Sequence, residues 1–365
     1  MSLHAQHTPH RQGRVIQSLD KQLVGIRASL SPLFNELSKF KPPPENPSGY
    51  RQIDGRAVAY TQYAMEDLKK HPLVRIVERF DASREEVYCA SEDGRLQVVV
   101  MSPPTFLDWK KGINEQEKKY LLHKPDRLVA TDQFLSLVLA NLNHGVEVVI
   151  ILPDPQRKEG TFTRDIAFAV MQHLFLANME SDVRKPEEET VVGWIKPPKE
   201  AIIEGGNVIL GNGVVFVGVG DRTNTEAVEW LKTTFSALGI SLEVIPLRLK
   251  KGILHLDCAF CPIEERDGSP GLAIIRPQAF SREKDIALLK KMYGQMKLVS
   301  KGEFYGLGAN VLKLDKSTYI FNPKTPSVAK TILRLGIDGI PVDYHEINKG
   351  EGLYRCTELS TKRKN

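Results

Sequence analysis

One order of elements, strand, strand, helix, strand, returns several times along the second half of this chain. Asn207 to Leu210 and Val214 to Val219 are β-rich runs around Gly211-Asn212-Gly213, a strong hairpin signal. A helix is expected over about Thr225 to Leu238, closed by Gly239, and then a strand from Ser241 to Pro246. The order returns with His255 to Phe260, Leu272 to Ile275, a helix over Arg282 to Tyr293, and Leu298 to Ser300. It returns again with Asn310 to Leu314, Thr318 to Phe321, a helix over Ser327 to Leu335, and Val342 to His345. Upstream, Gln97 to Met101, a helix over Asp132 to Asn143 ending at Gly145, and Val146 to Leu152 form a looser copy. Repeats that each bury one face against a neighbour suggest a closed ring of α/β units. An open doubly wound sheet is the alternative, because sequence cannot show closure.

The 365 residues leave ample material for a core, in one large domain or two ordinary ones. With 50 basic against 45 acidic residues, the net charge of +5 is too small and too scattered to predict a nucleic-acid surface. The longest apolar runs, Val98 to Met101 and Val148 to Leu152, fall far short of the ~20 residues of a membrane span. Met1 to Gln12 lacks the apolar centre of a secretory signal, and four cysteines do not make a disulfide framework. A soluble cytoplasmic protein is therefore expected, without membrane or nucleic-acid partners.

Residues 1–72 read as a helical N-terminal extension and 73–365 as the main α/β domain. Val15, Leu19, Leu23, Ile26 and Leu30 recur at helical spacing, and Ser31-Pro32 is expected to cap that helix and start another. Lys41 to Tyr50 is a linker by composition, and a further helix is expected over about Ala57 to Lys70. The expected role is a helical cap or a homo-oligomer contact.

Cofactor signatures are missing: there is no phosphate-binding loop, and Gly218-Val219-Gly220-Asp221 lacks the third glycine of a dinucleotide fingerprint. Cys258-Ala259-Phe260-Cys261 has zinc-like spacing without a second cysteine pair, so small buried side chains in a strand are expected and no metal. More informative are polar residues set where a strand pattern expects apolar ones. His255 and Asp257, two apart, would share one face of a strand opposite Leu254, Leu256 and Cys258. Glu204 interrupts an apolar run before Gly205-Gly206, Asp165 precedes the apolar Ile166 to Met171, and Cys356 follows a glycine-bearing loop. Each alone reads as a buried hydrogen-bonded group, a turn acid or a small hydrophobe. Together, one thiol, one imidazole and three carboxylates suit thiol chemistry on a cation.

FTRD (162–165), EGGN (204–207), GDRTN (220–224), HLD (255–257) and the terminal G-x-G-x-x-x-C (350–356) occur in that order. With Val100-Met101-Ser102-Pro103-Pro104, this set resembles the guanidine-modifying, or amidinotransferase, superfamily. That group, the penteins, includes arginine deiminases, dimethylarginine hydrolases and amidinotransferases. The resemblance covers about residues 95–359. It implies an α/β fold, a five-bladed α/β propeller of ββαβ repeats, and a small guanidino substrate with no cofactor. It also implies roles: Cys356 as nucleophile, His255 as general acid and base, Asp165 and Asp257 as clamps on the guanidinium. Glu204 would hold the histidine or a guanidinium nitrogen, and Arg222 the substrate carboxylate.

The chain departs from its relatives at three places. Glu351 stands where arginine deiminases usually carry arginine, which disfavours an α-carboxylate nearby. Asp165 replaces the asparagine of the arginine dihydrolase branch, and Tyr354-Arg355 replaces small residues before the cysteine. The expected activity is hydrolysis of a guanidino C–N bond through a covalent adduct. Amidino transfer to an amine and a non-catalytic guanidinium-binding propeller are the alternatives.

Overall fold

A computed structural model describes residues 9–41, 53–109, 112, 114–193, 195–265 and 271–364. The linker expected at Lys41 to Tyr50 lies almost wholly outside the described residues.

The three expected repeats are three separate three-stranded sheets. In the first, Val208–Gly211 pairs antiparallel with Val214–Val219, and Glu243–Arg248 returns parallel to the second strand after the helix Thr225–Ala237. Asn212 and Gly213 have φ of 56° and 73°, as a primed two-residue turn requires. Phe260–Ile263, Leu272–Ile275 and Gln295–Leu298 repeat this arrangement around the helix Glu283–Tyr293. Leu312–Lys313, Thr318–Phe321 and Asp338–Pro341 repeat it around Pro326–Arg334.

The last two returning strands begin earlier than the sequence suggests. Gly294 and Gly336, at φ 68° and 70°, end their helices, and the strands start within two residues. Both are half-exposed edge strands, so their apolar content is low and drew the expected position downstream. His255 to Phe260 differs too. Leu256–Cys258 is a short 3-10 turn, and the strand begins only at Phe260.

The fourth group has its strands drawn from both ends of the chain. Arg95–Met101 and Glu147–Ile151 pair in parallel, with the helix Arg127–Asn143 between them in sequence. Val74–Val77 adds on one side, and the C-terminal strand Leu359–Lys364 pairs antiparallel with Arg95–Met101 on the other. A separate hairpin joins Ala167–Val170 to His173–Leu176.

The N-terminal helices Pro9–Leu37 and Gly55–Leu68 pack onto this fourth group. Leu23, Ile26, Leu30, Tyr60 and Leu68 belong to the same apolar cluster as Phe134, Val138 and Val148. Arg27 and Tyr60 both donate to Asp132, at 2.7 and 2.8 Å. The first helix continues through Pro32, which was expected to begin a new one. Proline removes one backbone donor, but Pro32 faces solvent while Leu30 beside it is fully buried, so packing carries the helix past it. Burying a leucine of this kind contributes roughly 1.5–3 kcal/mol. Among the described residues no helix is long and apolar enough to cross a membrane.

Candidate active site

Every polar residue picked out by pattern is buried, and five segments bring them together. Asp165 sits in the 3-10 turn Thr163–Ile166, just before the strand Ala167–Val170. Glu204 enters the turn Gly205–Asn207, and His255 enters Leu256–Cys258. Turns at strand mouths let short polar side chains converge while the strands supply rigidity. The second glycine of the EGGN segment is fixed by its surroundings, since a Cβ on Gly206 would lie 2.7 Å from both Asp165 Oδ1 and His255 Nδ1. Only glycine leaves the space in which those two groups meet.

His255 is fully buried. Its Nε2 lies 2.7 Å from Glu204 Oε2, and its Nδ1 lies 3.5 Å from Asp165 Oδ1. Burial works against a charged imidazole, but Asp165, Glu204 and Asp257 outweigh it and hold the His255 pKa above its ordinary value. Glu204 shows the reciprocal effect: despite burial, the bond to His255 and the nearby arginines bring its carboxyl down to about 2. The backbone N–H of Glu180 also donates to Glu204, and Arg222 Nη1 stands 3.4 Å from Glu204 Oε1.

Cys356 is likewise buried. Asn310 Nδ2 donates to its sulfur at 3.2 Å, and Asp257 Oδ2 lies 3.8 Å from it. A hydrogen bond with the Cys258 thiol favours the thiolate, but burial and the carboxylates of Asp257 and Asp165 prevail, and the Cys356 pKa is raised. Asp257 is itself raised by burial, with Arg355 opposing. Both shifts run toward the protonated forms, the thiol at Cys356 and the imidazolium at His255.

The two expected clamps already carry cations of the chain's own. Arg184 donates to Asp165 at 2.6 Å and pairs with Glu187 at 2.7 Å, while Arg355 Nε lies 3.5 Å from Asp257 and also pairs with Glu92. Arg184, Asn310 and Cys258 were not singled out for the site. Cys258 was assigned to the far face of a strand; in the turn it occupies, its sulfur lies 3.6 Å from Asp257 and bonds Cys356. Cys258 and Cys261 fall in different apolar clusters, so the zinc-like pair does not converge. Asp165, Glu204 and His255 offer donor atoms within 4.8 Å of one another. Both ring nitrogens of His255 face carboxylates, an arrangement that holds protons as well as it would an ion.

Asp165, Arg184, Arg222, His255, Glu351 and Cys356 line one narrow recess of about 10 Å³, room for roughly one water. It adjoins a wide vestibule of about 1090 Å³, with Asn114, Arg222, Leu254 and Glu351 in both linings. Glu351 holds φ 62° at the junction, and Gly352 beside it packs directly on Phe162.

A recess with a buried thiol, an ion-paired imidazole and clustered carboxylates at the mouths of α/β sheets is that of the guanidine-modifying superfamily. Within it, residues 111–361 match the family described as eukaryotic N,N-dimethylarginine dimethylhydrolase, and the chain belongs to that family. An uncharacterized protein of Bacillus subtilis, YkgA, is 32% identical over 285 residues, 76% of this chain and 96% of the relative. A dimethylarginine dimethylaminohydrolase of Streptomyces coelicolor is 25% identical over 246 residues, 65% and 87% of the two chains.

Solved structures share the fold at low identity. The substrate-bound N-terminal domain of ArgZ, a cyanobacterial arginine dihydrolase, has a TM-score of 0.63 at 18% identity, covering 73% of this chain and 98% of that one. The Pseudomonas aeruginosa dimethylarginine dimethylaminohydrolase, in complex with citrulline, has 0.61 at 18%, covering 73% and 99%.

Proposed function

We propose that this protein is a cofactor-free hydrolase that cleaves a C–N bond of an arginine-like guanidino compound through a covalent adduct on Cys356. The observation that carries this reading is the lining of one recess by a buried thiol, a carboxylate-held imidazole and Asp165. A guanidinium is planar and a poor electrophile, so it must be gripped in its plane with the central carbon exposed. Asp165 and Asp257 accept its N–H groups in that role, taking over the hydrogen bond from Arg184 to Asp165 and the looser ion pair of Arg355 with Asp257. The recess widens as the substrate enters. The incoming cation favours the thiolate, offsetting the burial and carboxylates that hold the Cys356 proton, which is released to solvent through the vestibule as the substrate binds.

The thiolate then adds to the guanidinium carbon. His255, positively charged beside Glu204, gives its proton to the departing nitrogen, the C–N bond breaks, and ammonia or an amine leaves. Neutral His255 next takes a proton from water, which adds to the S-alkyl thiouronium. The C–S bond breaks as the added hydroxyl gives its proton to the departing amine or to solvent, returning the thiolate and a neutral ureido product. Arg222 stands at the recess to meet the substrate's far end. The dimethylaminohydrolase named above and the citrulline held by its Pseudomonas counterpart agree with this product class.

The same reading takes the sheets as blades of a five-bladed propeller, closed by the pairing of Leu359–Lys364 with Arg95–Met101. It takes residues 1–72 as a cap on residues 73–365, with homo-oligomer contacts through its outer face. A reducing, cytoplasmic setting fits four free cysteines. The test is a guanidino panel scored for ureido product, ammonia and amine, with Cys356→Ser alongside. Ureido product from the parent and none from the variant is expected; undiminished turnover by Cys356→Ser rejects the mechanism.

A further inference from the structure

Two thiols meet beside the recess, and the proposed cycle uses one of them. Cys258 and Cys356 are both buried and flank the same carboxylate: Cys258 Sγ lies 3.6 Å from Asp257 Oδ1, and Cys356 Sγ 3.8 Å from Oδ2. The sulfurs are also hydrogen-bonded to each other, with Cys258 the donor. That bond pushes the Cys258 thiol well above its ordinary range and favours the anion at Cys356 against burial. Cys89 and Cys261 stand apart in other apolar clusters, their thiols turned to the carbonyls of Ser91 and Pro262.

A hydroxyl in place of the Cys258 thiol would serve equally as a donor. What only sulfur offers is a covalent bond to Cys356, and two sulfurs in hydrogen-bond contact need only close to about 2 Å to make it. The recess supplies the other requirement. It has room for roughly one water, which suits a single oxygen added to the Cys356 sulfur, and it opens on the vestibule. Hydrogen peroxide is smaller than the guanidinium that must reach the same atom.

We propose that Cys258 is a resolving thiol: when a hydroperoxide oxidises Cys356, Cys258 closes a Cys258–Cys356 disulfide that a dithiol can reopen. The Cys356 thiolate attacks one peroxide oxygen, the O–O bond breaks, and a sulfenic acid and hydroxide result. Cys258, passing its proton to Asp257, attacks the sulfenyl sulfur. The S–O bond breaks, and the departing hydroxide takes that proton and leaves as water. The peroxide is thereby reduced by two electrons, one from each sulfur. A dithiol returns both electrons and becomes a disulfide itself. As a block on turnover this rests on Cys356 being the nucleophile; as a disulfide it does not.

Full-length protein is treated with hydrogen peroxide, alkylated with N-ethylmaleimide and digested without reduction, and the peptides are fragmented by mass spectrometry. A Cys258–Cys356 link is expected as the main product, falling at least tenfold after dithiothreitol. In Cys258→Ser, dimedone should trap the Cys356 sulfenic acid at least fivefold more than in the parent, and part of it should pass to a sulfinic acid that dithiothreitol does not reverse. A parent in which Cys356 stays reduced, is oxidised without the link, or is linked to Cys261 overturns the proposal with no variant needed. Unchanged dimedone trapping in a folded Cys258→Ser does the same. Ureido product is scored in the same samples. A reversible link in a chain that makes no ureido product would defeat the hydrolase reading while leaving the thiol pair standing.

Discussion

Replacing Glu204 by glutamine keeps the shape and one acceptor of the side chain but removes the charge that faces His255 at 2.7 Å. A hydrogen bond to a charged partner contributes roughly 1.5–3 kcal/mol, and one pH unit corresponds to about 1.4 kcal/mol. The His255 midpoint should therefore fall by about one to two pH units. Asp165, 3.5 Å from Nδ1, prevents a larger fall. The sign follows from the raised pKa of His255: the stability its proton adds is full below the ordinary value of 6.5 and is lost as pH rises through the folded midpoint. Glu204, lowered to about 2, adds stability above its ordinary 4.5 that is lost as pH falls through the folded value. In Glu204→Gln the first loss moves to lower pH and the second disappears. Two measurements check this: an NMR titration of the His255 ring, assigned with His255→Asn, and the pH profile of kcat/KM. The descending limb of the profile should move down with the ring. A His255 midpoint that stays in place would show that Glu204 does not hold the imidazolium.

Two further outcomes are expected. Gly206→Ala puts a Cβ 2.7 Å from Asp165 and from His255, so kcat should fall at least tenfold with a much smaller change in melting temperature, read by paired kinetics and thermal unfolding. Glu358, buried and hydrogen-bonded by Asn141, has its carboxyl pushed up to about 8. The native state keeps a proton there that the unfolded chain loses near 4.5. Stability should therefore fall with a contribution of up to about 1.4 kcal/mol per pH unit between those values. Denaturant unfolding across that range should show Glu358→Gln with a flatter slope than the parent.

The residues legible in sequence were those whose polarity broke an apolar run: Asp165 before Ile166, Glu204 after Ile203, His255 between Leu254 and Leu256. Burial makes such a residue expensive unless something pairs with it, so the break is itself a signal. Arg184 gave none. It precedes Lys185–Thr190, a charged stretch that reads as solvated surface, yet Arg184 and Glu187 are both buried because the turn folds inward onto Asp165. Asn310 and Cys258 matter only through contacts with Cys356, set by segments about 50 and 100 residues away in sequence. The hairpins and the helices before Gly294 and Gly336 were visible because turn chemistry is local. The returning edge strands were displaced because exposure leaves them little apolar pattern.

Cys356 lies three residues before the strand that pairs with Arg95–Met101, and its carbonyl accepts the Arg164 backbone N–H. During synthesis the imidazole and all three acids emerge from the ribosome well before the thiol does. The strand that follows the thiol, residues 359–364, pairs with a partner laid down some 260 residues earlier. A chain cut before Cys356 would lose in one step both the thiol and the strand that pairs with Arg95–Met101, so reactivity and the integrity of that sheet depend on the same short segment.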